Sequence, residues 1–130
     1  MKISCKTAAM AAAVILWGFG SAFADVKDYE FQLVQSEAKK GDATIDVRLL
    51  NKKTGKTVPD AVIIAKRIDM APDGMAEMAT RVDQLPSPEP GIYRFKASLS
   101  MEGRWQLSLG AKVQGEAGTL QSKLVIKATP

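Results

Sequence analysis

The sequence contains no histidine, and its single cysteine, Cys5, lies close to the N-terminus. Histidine is the commonest general base at neutral pH, and cysteine is the thiol nucleophile. Together the two residues supply most zinc ligands. No serine stands in a Gly-x-Ser-x-Gly context, and there is no glycine-rich phosphate loop. Carboxylate pairs such as Asp69 and Asp73 remain, but aspartates in such a segment are typical of solvated turns. We therefore expect that the protein is not an enzyme.

Aromatic residues are scarce, at 6% of the chain, and basic residues are scattered although they outnumber acidic ones by 18 to 14. A nucleic-acid-binding surface typically presents a clustered basic stripe, interleaved with aromatics where bases are stacked. No such stripe is present, so we expect no nucleic-acid partner.

The N-terminal segment has the pattern of a secretory signal. Lys2 and Lys6 form a basic start, Thr7–Phe19 is almost wholly apolar or small, and Ala22 and Ala24 form a small-x-small cleavage site. The apolar run is shorter than the roughly 20 residues that span a bilayer. This disfavours the alternative of an uncleaved membrane anchor.

The pattern predicts a signal peptide over Met1–Ala24 and a periplasmic mature chain over Asp25–Pro130 with no membrane span. Cleavage removes Cys5, so the mature chain has no thiol and no disulfide. The fold must then be held by its apolar core.

Most of the mature chain alternates apolar and polar residues with a period of two. Successive side chains of a strand point to opposite faces, so each segment has one buried and one solvated face, as in antiparallel sheets. The pattern predicts strands over Tyr29–Gln35, Thr44–Leu49, Ile92–Leu99, Arg104–Val113 and Thr119–Lys127. Ala61–Asp69 is also predicted as a strand, because it begins with a nearly continuous apolar run rich in β-branched residues, and a weaker strand is predicted near Met78–Val82.

Turn residues separate these strands. Lys39–Asp42 and Gln114–Gly118 each fit a hairpin loop, Asn51–Lys56 fits a turn, and Leu85–Gly91 contains three prolines that exclude helix and central strand. About seven short strands with little helix predict an all-β fold, an immunoglobulin-like antiparallel β-sandwich forming one domain over Asp25–Pro130. An open barrel is the alternative.

Methionine is the one residue type whose placement indicates chemistry. Met70, Met75 and Met78 fall within nine residues, in a predicted loop that carries Pro72 and Gly74. A thioether is a soft ligand that selects Cu(I) and, by the same logic, Ag(I). Unlike a thiolate, it remains usable in an oxidising compartment.

Sandwich topology adds Met101 as a fourth candidate ligand. If the strands run up and down in order, the loop after the third strand and the loop after the fifth, Ser100–Gly103, lie at the same end. Trp105 could then cover a soft cation with its ring face, although its place in an inward stripe favours the core. Methionine also fills gaps in cores and suits apolar contacts, so a non-metal role stays open. The predicted metal ligands are Met70, Met75, Met78 and Met101.

Several segments together resemble the YtkA-like and FixH-like domains, over roughly Val26–Lys127. They are Thr54–Val62, Met70–Met78, Gly91–Tyr93 and Met101–Trp105 followed by Leu107. The resemblance implies an exported or membrane-anchored β-sandwich associated with heavy-metal efflux or with copper handling for terminal oxidases.

Two functions follow as expectations. The first is a periplasmic module that binds Cu(I) or Ag(I), or assists metal efflux, through the four thioethers. The second is a non-metal interaction domain for a periplasmic efflux or oxidase-assembly protein. Its contact would be the methionine segment or, by strand addition, the edge of Tyr29–Gln35.

Overall fold

A computed structural model describes residues 26–130. The predicted signal peptide and its cleavage site lie outside these residues. The strands are β1 (Tyr29–Leu33), β2 (Glu37–Lys39), β3 (Gly41–Asn51), β4 (Val62–Met70), β5 (Met75–Thr80), β6 (Val82–Leu85), β7 (Ile92–Leu99), β8 (Gly103–Lys112) and β9 (Leu120–Thr129). The only helical segments among residues 26–130 are two 3-10 turns, Val26–Asp28 and Ala71–Asp73. No helix in this part of the chain is long and apolar enough to cross a bilayer.

The strands form two sheets, which confirms the predicted all-β sandwich. The first sheet has the order β1-β3-β7-β6 and the second β2-β9-β8-β4-β5. Neighbouring strands are antiparallel except for β2 and β9, which pair in parallel. The hairpin predicted at Gln114–Gly118 joins β8 to β9 as expected.

The core lies between the two sheets and is built from the predicted inward stripes. Phe31 and Tyr93 meet edge to face across the first sheet, with ring centroids 6.2 Å apart. The hydroxyl of Tyr93 donates to the carbonyl of Val58 at 2.6 Å and accepts from the amide of Ala61 at 3.0 Å, which ties the segment before β4 to the core. The largest fully buried side chains are Trp105, Phe95, Leu49, Ile68, Met70, Leu99, Leu107, Ile126 and Val47.

The segment Lys39–Asp42 is not a hairpin loop. β2 belongs to the second sheet and β3 to the first, so the chain crosses between sheets at Lys40. Gly41 has a φ of 109°, a conformation that side chains disfavour, and the amide of Lys40 donates to the carbonyl of Thr129 at 2.8 Å. A glycine-containing segment of the kind expected in a hairpin loop therefore connects the two sheets here instead.

The described residues form nine strands rather than about seven. β2 was not expected, and the single strand predicted near Met78–Val82 is two strands, β5 and β6, on either side of Arg81. They belong to different sheets, because β5 pairs with β4 and β6 pairs with β7. Val82 on β6 is buried at 7% exposure, whereas Met78 on β5 is 36% exposed.

Strand β4 leaves the core part-way along its length. Ile68 is fully buried, whereas Val62 and Ile64 are 57% and 53% exposed. The register on β8 shifts between Ile63 and Ala65, as in a β-bulge, so Ile64 has no partner of its own in the ladder. The bulge places β-branched side chains on the outer surface of the second sheet.

Candidate functional site

The first part of the candidate site is the tight turn between β4 and β5. Pro72 lies in the 3-10 segment, where its fixed φ is tolerated, and Gly74 closes the turn with a φ of 76°. The amide of Gly74 donates to the carbonyl of Ala71 at 2.9 Å. The turn is therefore residues 71–74, and the predicted loop was too long, since Met70 ends one strand and Met75 begins the next as its register partner.

The second part is the turn between β7 and β8, which ends at Gly103. A Cβ at this position would lie 2.5 Å from Cε of Met70 and 2.6 Å from Oδ2 of Asp73. The two turns are therefore in direct contact, at the same end of the sandwich, as the strand order predicted.

Asp73 and Arg104 hold the two turns together. Oδ2 of Asp73 accepts from the backbone amide of Arg104 at 2.7 Å, and Oδ1 accepts from its Nε at 2.8 Å. Nη2 of Arg104 also donates to the carbonyl of Pro72 at 2.8 Å. The hydrogen bond from the backbone amide, reinforced by the guanidinium, holds the pKa of Asp73 below its usual value. We refer to this contact as the Asp73–Arg104 clamp.

Asp69 occupies the other side of the first turn. It is the one buried charged residue in the described part of the chain, at 4% exposure. Its carboxylate accepts from Nε of Arg67 at 2.7 Å and from the amide of Ala71 at 2.9 Å. Both aspartates singled out in the sequence therefore organise the β4–β5 turn.

The four methionines differ in their access to solvent. Met70 is fully buried and belongs to the core. Met75 is half-buried and packs against the core, whereas Met78 and Met101 are 36% and 37% exposed. Three thioethers therefore lie at or near the surface around the joined turns, and the fourth lies beneath them.

Trp105 is a core residue, at 1% exposure, as its strand parity favoured. Its indole Nε1 donates to the carbonyl of Met101 at 3.1 Å. The side chain therefore fixes the backbone of the β7–β8 turn from below.

The methionine sulfurs around the turns are soft donors, whereas the carboxylates of Asp69 and Asp73 accept the hydrogen bonds described above. Residues 26–130 contain no group of three or more histidine, cysteine, aspartate or glutamate side chains that could hold a metal. Thioether sulfur prefers Cu(I) and similar soft cations, whereas Mg²⁺ and Ca²⁺ prefer oxygen.

Arg104 and Gly103 are the site residues that sequence reasoning missed. Gly103 carried a usable signal, since a glycine that opens a strand often marks a close approach of another segment. Nothing in the sequence pairs Arg104 with Asp73, because the two residues are distant in the chain and their contact depends on which strands are neighbours.

The sequence model of the YtkA-like family matches residues 23–110. The match covers both turns and ends within β8, short of the span suggested by the motifs. No curated protein matches the chain closely enough to count as a relative.

Solved structures show similar arrangements at low sequence identity. The filamin domain of Lin-41 is 19% identical, covers 78% of this chain and 92% of its own, and has a TM-score of 0.47. The C-terminal domain of ZirS is 14% identical, covers 100% of this chain and 87% of its own, and has a TM-score of 0.46.

Proposed function

Because the chain belongs to the YtkA-like family, we propose that it is a periplasmic module that binds Cu(I) or Ag(I) through methionine thioethers. In this proposal the protein is not an enzyme. It holds a soft cation, or passes it to an efflux or oxidase-assembly protein, after export and removal of Met1–Ala24.

The observation that carries the proposal is the junction of the two turns. The Asp73–Arg104 clamp holds the turn that contains Met101 against the turn that Met75 follows. Met78 lies three residues further along β5, with its side chain exposed. We assign Met75, Met78 and Met101 as the ligands.

The residues of this end have separate tasks in the proposal. The three thioethers bind the ion, and the Asp73–Arg104 clamp holds together the two turns next to which they lie. Met70 and Trp105 are buried supports beneath them, since neither side chain reaches solvent. The bound ion would be the cargo, and the protein would carry out no covalent reaction on it.

The proposal predicts that Cu(I) affinity depends on the exposed thioethers. The chain from Asp25 to Pro130 is titrated with Cu(I) against a competing chelator, beside the variant M75L/M78L/M101L. We expect the variant to bind at least about tenfold more weakly, because leucine keeps the volume but has no soft donor. Affinity should stay constant between about pH 5 and 8, because thioethers do not protonate there as histidine does.

Met70→Leu is the matched control. It removes a thioether from the same end of the molecule but from the core, so its affinity should stay within about threefold of the parent, given that a volume-conserving swap is tolerated. Equal, weak binding by the parent and the triple variant would refute a thioether site. Loss of binding in Met70→Leu alone would transfer the site to the core.

A protein-interaction module is the second candidate, and the open edge of β5 favours it. Within residues 26–130, β5 pairs only with β4, and its other edge carries no strand. Met78 on this edge is 36% exposed, and methionine suits adaptable contacts. A purified efflux or assembly component that binds the chain equally well after chelation and in M75L/M78L/M101L would favour this function over metal binding.

A further inference from the structure

The second sheet turns a basic face away from the core. The cations of this sheet are contributed by β2, β4, β8 and β9, and two of them are paired: Arg67 with Asp69 at 2.7 Å and Arg104 with Asp73 at 2.8 Å. The others are exposed, including Lys39 on β2 and Lys66 on β4. Three lysines lie on the outer side of β8 and β9: Lys112, Lys123 and Lys127.

These three lysines form no ion pair with any residue from 26 to 130. Lys112 donates only to the carbonyl of Gly118, at 3.3 Å. Glu37 lies opposite Lys127 in the β2–β9 register without reaching ion-pair distance. We call Lys112, Lys123 and Lys127 the lysine triplet.

The outer face of the first sheet has the opposite balance. Arg94 is held there by Asp46 through two hydrogen bonds of 2.8 and 2.9 Å. The cations of that face are Arg48, Arg94 and Lys96, and its acidic residues are Glu30, Asp42, Asp46 and Asp83. Charge is therefore separated across the sandwich, with the positive excess on the second sheet.

Exposed aliphatic side chains lie on the same face as the lysine triplet. Val62 and Ile64 are 57% and 53% exposed on β4, and Val125 is 44% exposed on β9. Val62 is the register partner of Lys112, so apolar and cationic groups are direct neighbours. No aromatic side chain is among the exposed large hydrophobic residues of the described chain, so base stacking of the kind used for single-stranded nucleic acid has no platform here.

A depression of about 480 Å³ lies in the middle of this sheet. Its lining includes the small residues Ala65, Ser108 and Gly110, with Arg67 and Lys123 beside them. Arg67 is fixed by Asp69 and by a 3.0 Å hydrogen bond to the carbonyl of Ala76. A guanidinium, an ammonium and a serine hydroxyl beside one concavity suit a phosphate group.

We propose that this outer face docks the protein on a membrane surface rich in anionic phospholipid. The lysine triplet faces the lipid phosphates, one headgroup occupies the depression, and Val62, Ile64 and Val125 contact the interfacial region. Anionic charge and apolar chains in one plane are the combination that this face complements. The acidic first sheet then points away from the membrane.

The proposal is independent of metal binding and is tested on the metal-free chain from Asp25 to Pro130. Sedimentation with vesicles of phosphatidylglycerol and phosphatidylcholine is compared with sedimentation with phosphatidylcholine alone. We expect binding only to the anionic vesicles, and we expect it to weaken as salt is added, because exposed charges are screened. Since each lysine near an anionic surface is worth about 1 kcal/mol, K112Q/K123Q/K127Q should bind roughly a hundredfold more weakly.

The matched control is K52Q/K56Q/K96Q. It removes the same charge from lysines that lie in the β3–β4 connection and on the first sheet, and that form no ion pair within the described chain. We expect it to bind within about threefold of the parent, whereas equal losses in the two triple variants would reduce the effect to net charge and overturn the proposal.

The apolar contribution is tested separately with V62S/I64S, which leaves every charge in place. Weaker vesicle binding with an unchanged salt dependence is expected, because the variant loses only interfacial burial. No binding of the parent to anionic vesicles, or equal binding to both vesicle types, would overturn the proposal. Binding of the lysine triplet to a soluble acidic protein without vesicle binding would assign the face to a protein partner instead.

Discussion

Gly103 stands where the β7–β8 turn meets the β4–β5 turn. Its φ of 137° disfavours a side chain, and a Cβ there would press on Cε of Met70 and on the carboxylate of Asp73. The close approach of the two turns therefore depends on a missing side chain. The distance between the two turns of the candidate site is therefore set by having glycine at position 103.

We expect Gly103→Ala to destabilise the protein by about 2–3 kcal/mol, since backbone strain and a steric clash act together. Gly115→Ala is the control, because Gly115 also has a positive φ, 85°, but nothing within 4 Å of a new Cβ. It should cost about 1 kcal/mol from strain alone. Urea unfolding of both variants measures the difference. Equal losses would show that the contact with Met70 and Asp73 is soft.

Strand β4 contains two environments within one element. Its C-terminal half faces the core at Ile68, and its N-terminal half, beyond the bulge, exposes Ile64. The apolar run at its start therefore contributes to the surface as well as to the core. A strand with this division can serve the fold at one end and a binding surface at the other.

The two isoleucines allow a matched test with the same chemistry. Ile68→Ala should lower the free energy of unfolding by about 3–4 kcal/mol, because it removes buried methylene groups and leaves a cavity. Ile64→Ala should lower it by less than about 1 kcal/mol, because that side chain is already solvated. Chemical denaturation of both variants provides the measurement, and similar losses would contradict the exposure of the bulge.

Two carboxylates that join separate segments of the molecule, Asp46 and Asp73, have lowered pKa values. The side-chain hydrogen bonds from Arg94 lower the pKa of Asp46, and the backbone amide of Arg104 lowers that of Asp73, from an ordinary value of 3.8. A folded-state pKa below the unfolded value contributes stability that is complete above the unfolded pKa. That contribution is lost as the pH falls through the lowered folded value.

We therefore expect the urea midpoint to fall below about pH 4 and to fall less steeply in D46N/D73N than in the parent. The effect is modest, because both carboxylates are partly solvated. Asp42→Asn is the control, since Asp42 forms no ion pair within the described chain. A parent-like acid slope in D46N/D73N would show that these two contacts do not set the acid limit.

Sequence alternation predicted the sandwich well, because a period of two identifies the face of each long strand. It missed β2, which has three residues and no apolar face, and it read the crossing at Lys40 as a hairpin because both use glycine. Met70 shares the parity of the buried Ile68, so the burial of Met70 could be predicted from the sequence. The Asp73–Arg104 clamp could not be predicted, since a contact between distant turns depends on strand order.

The parallel pairing of β2 with β9 has a consequence for when the protein can fold. Glu37 lies near the start of the domain, and its register partner Lys127 lies near the end. Because about 90 residues separate these partners, β2 gains its neighbour only when nearly the whole domain is present, and such a long-range pairing is expected to form late and slowly in folding.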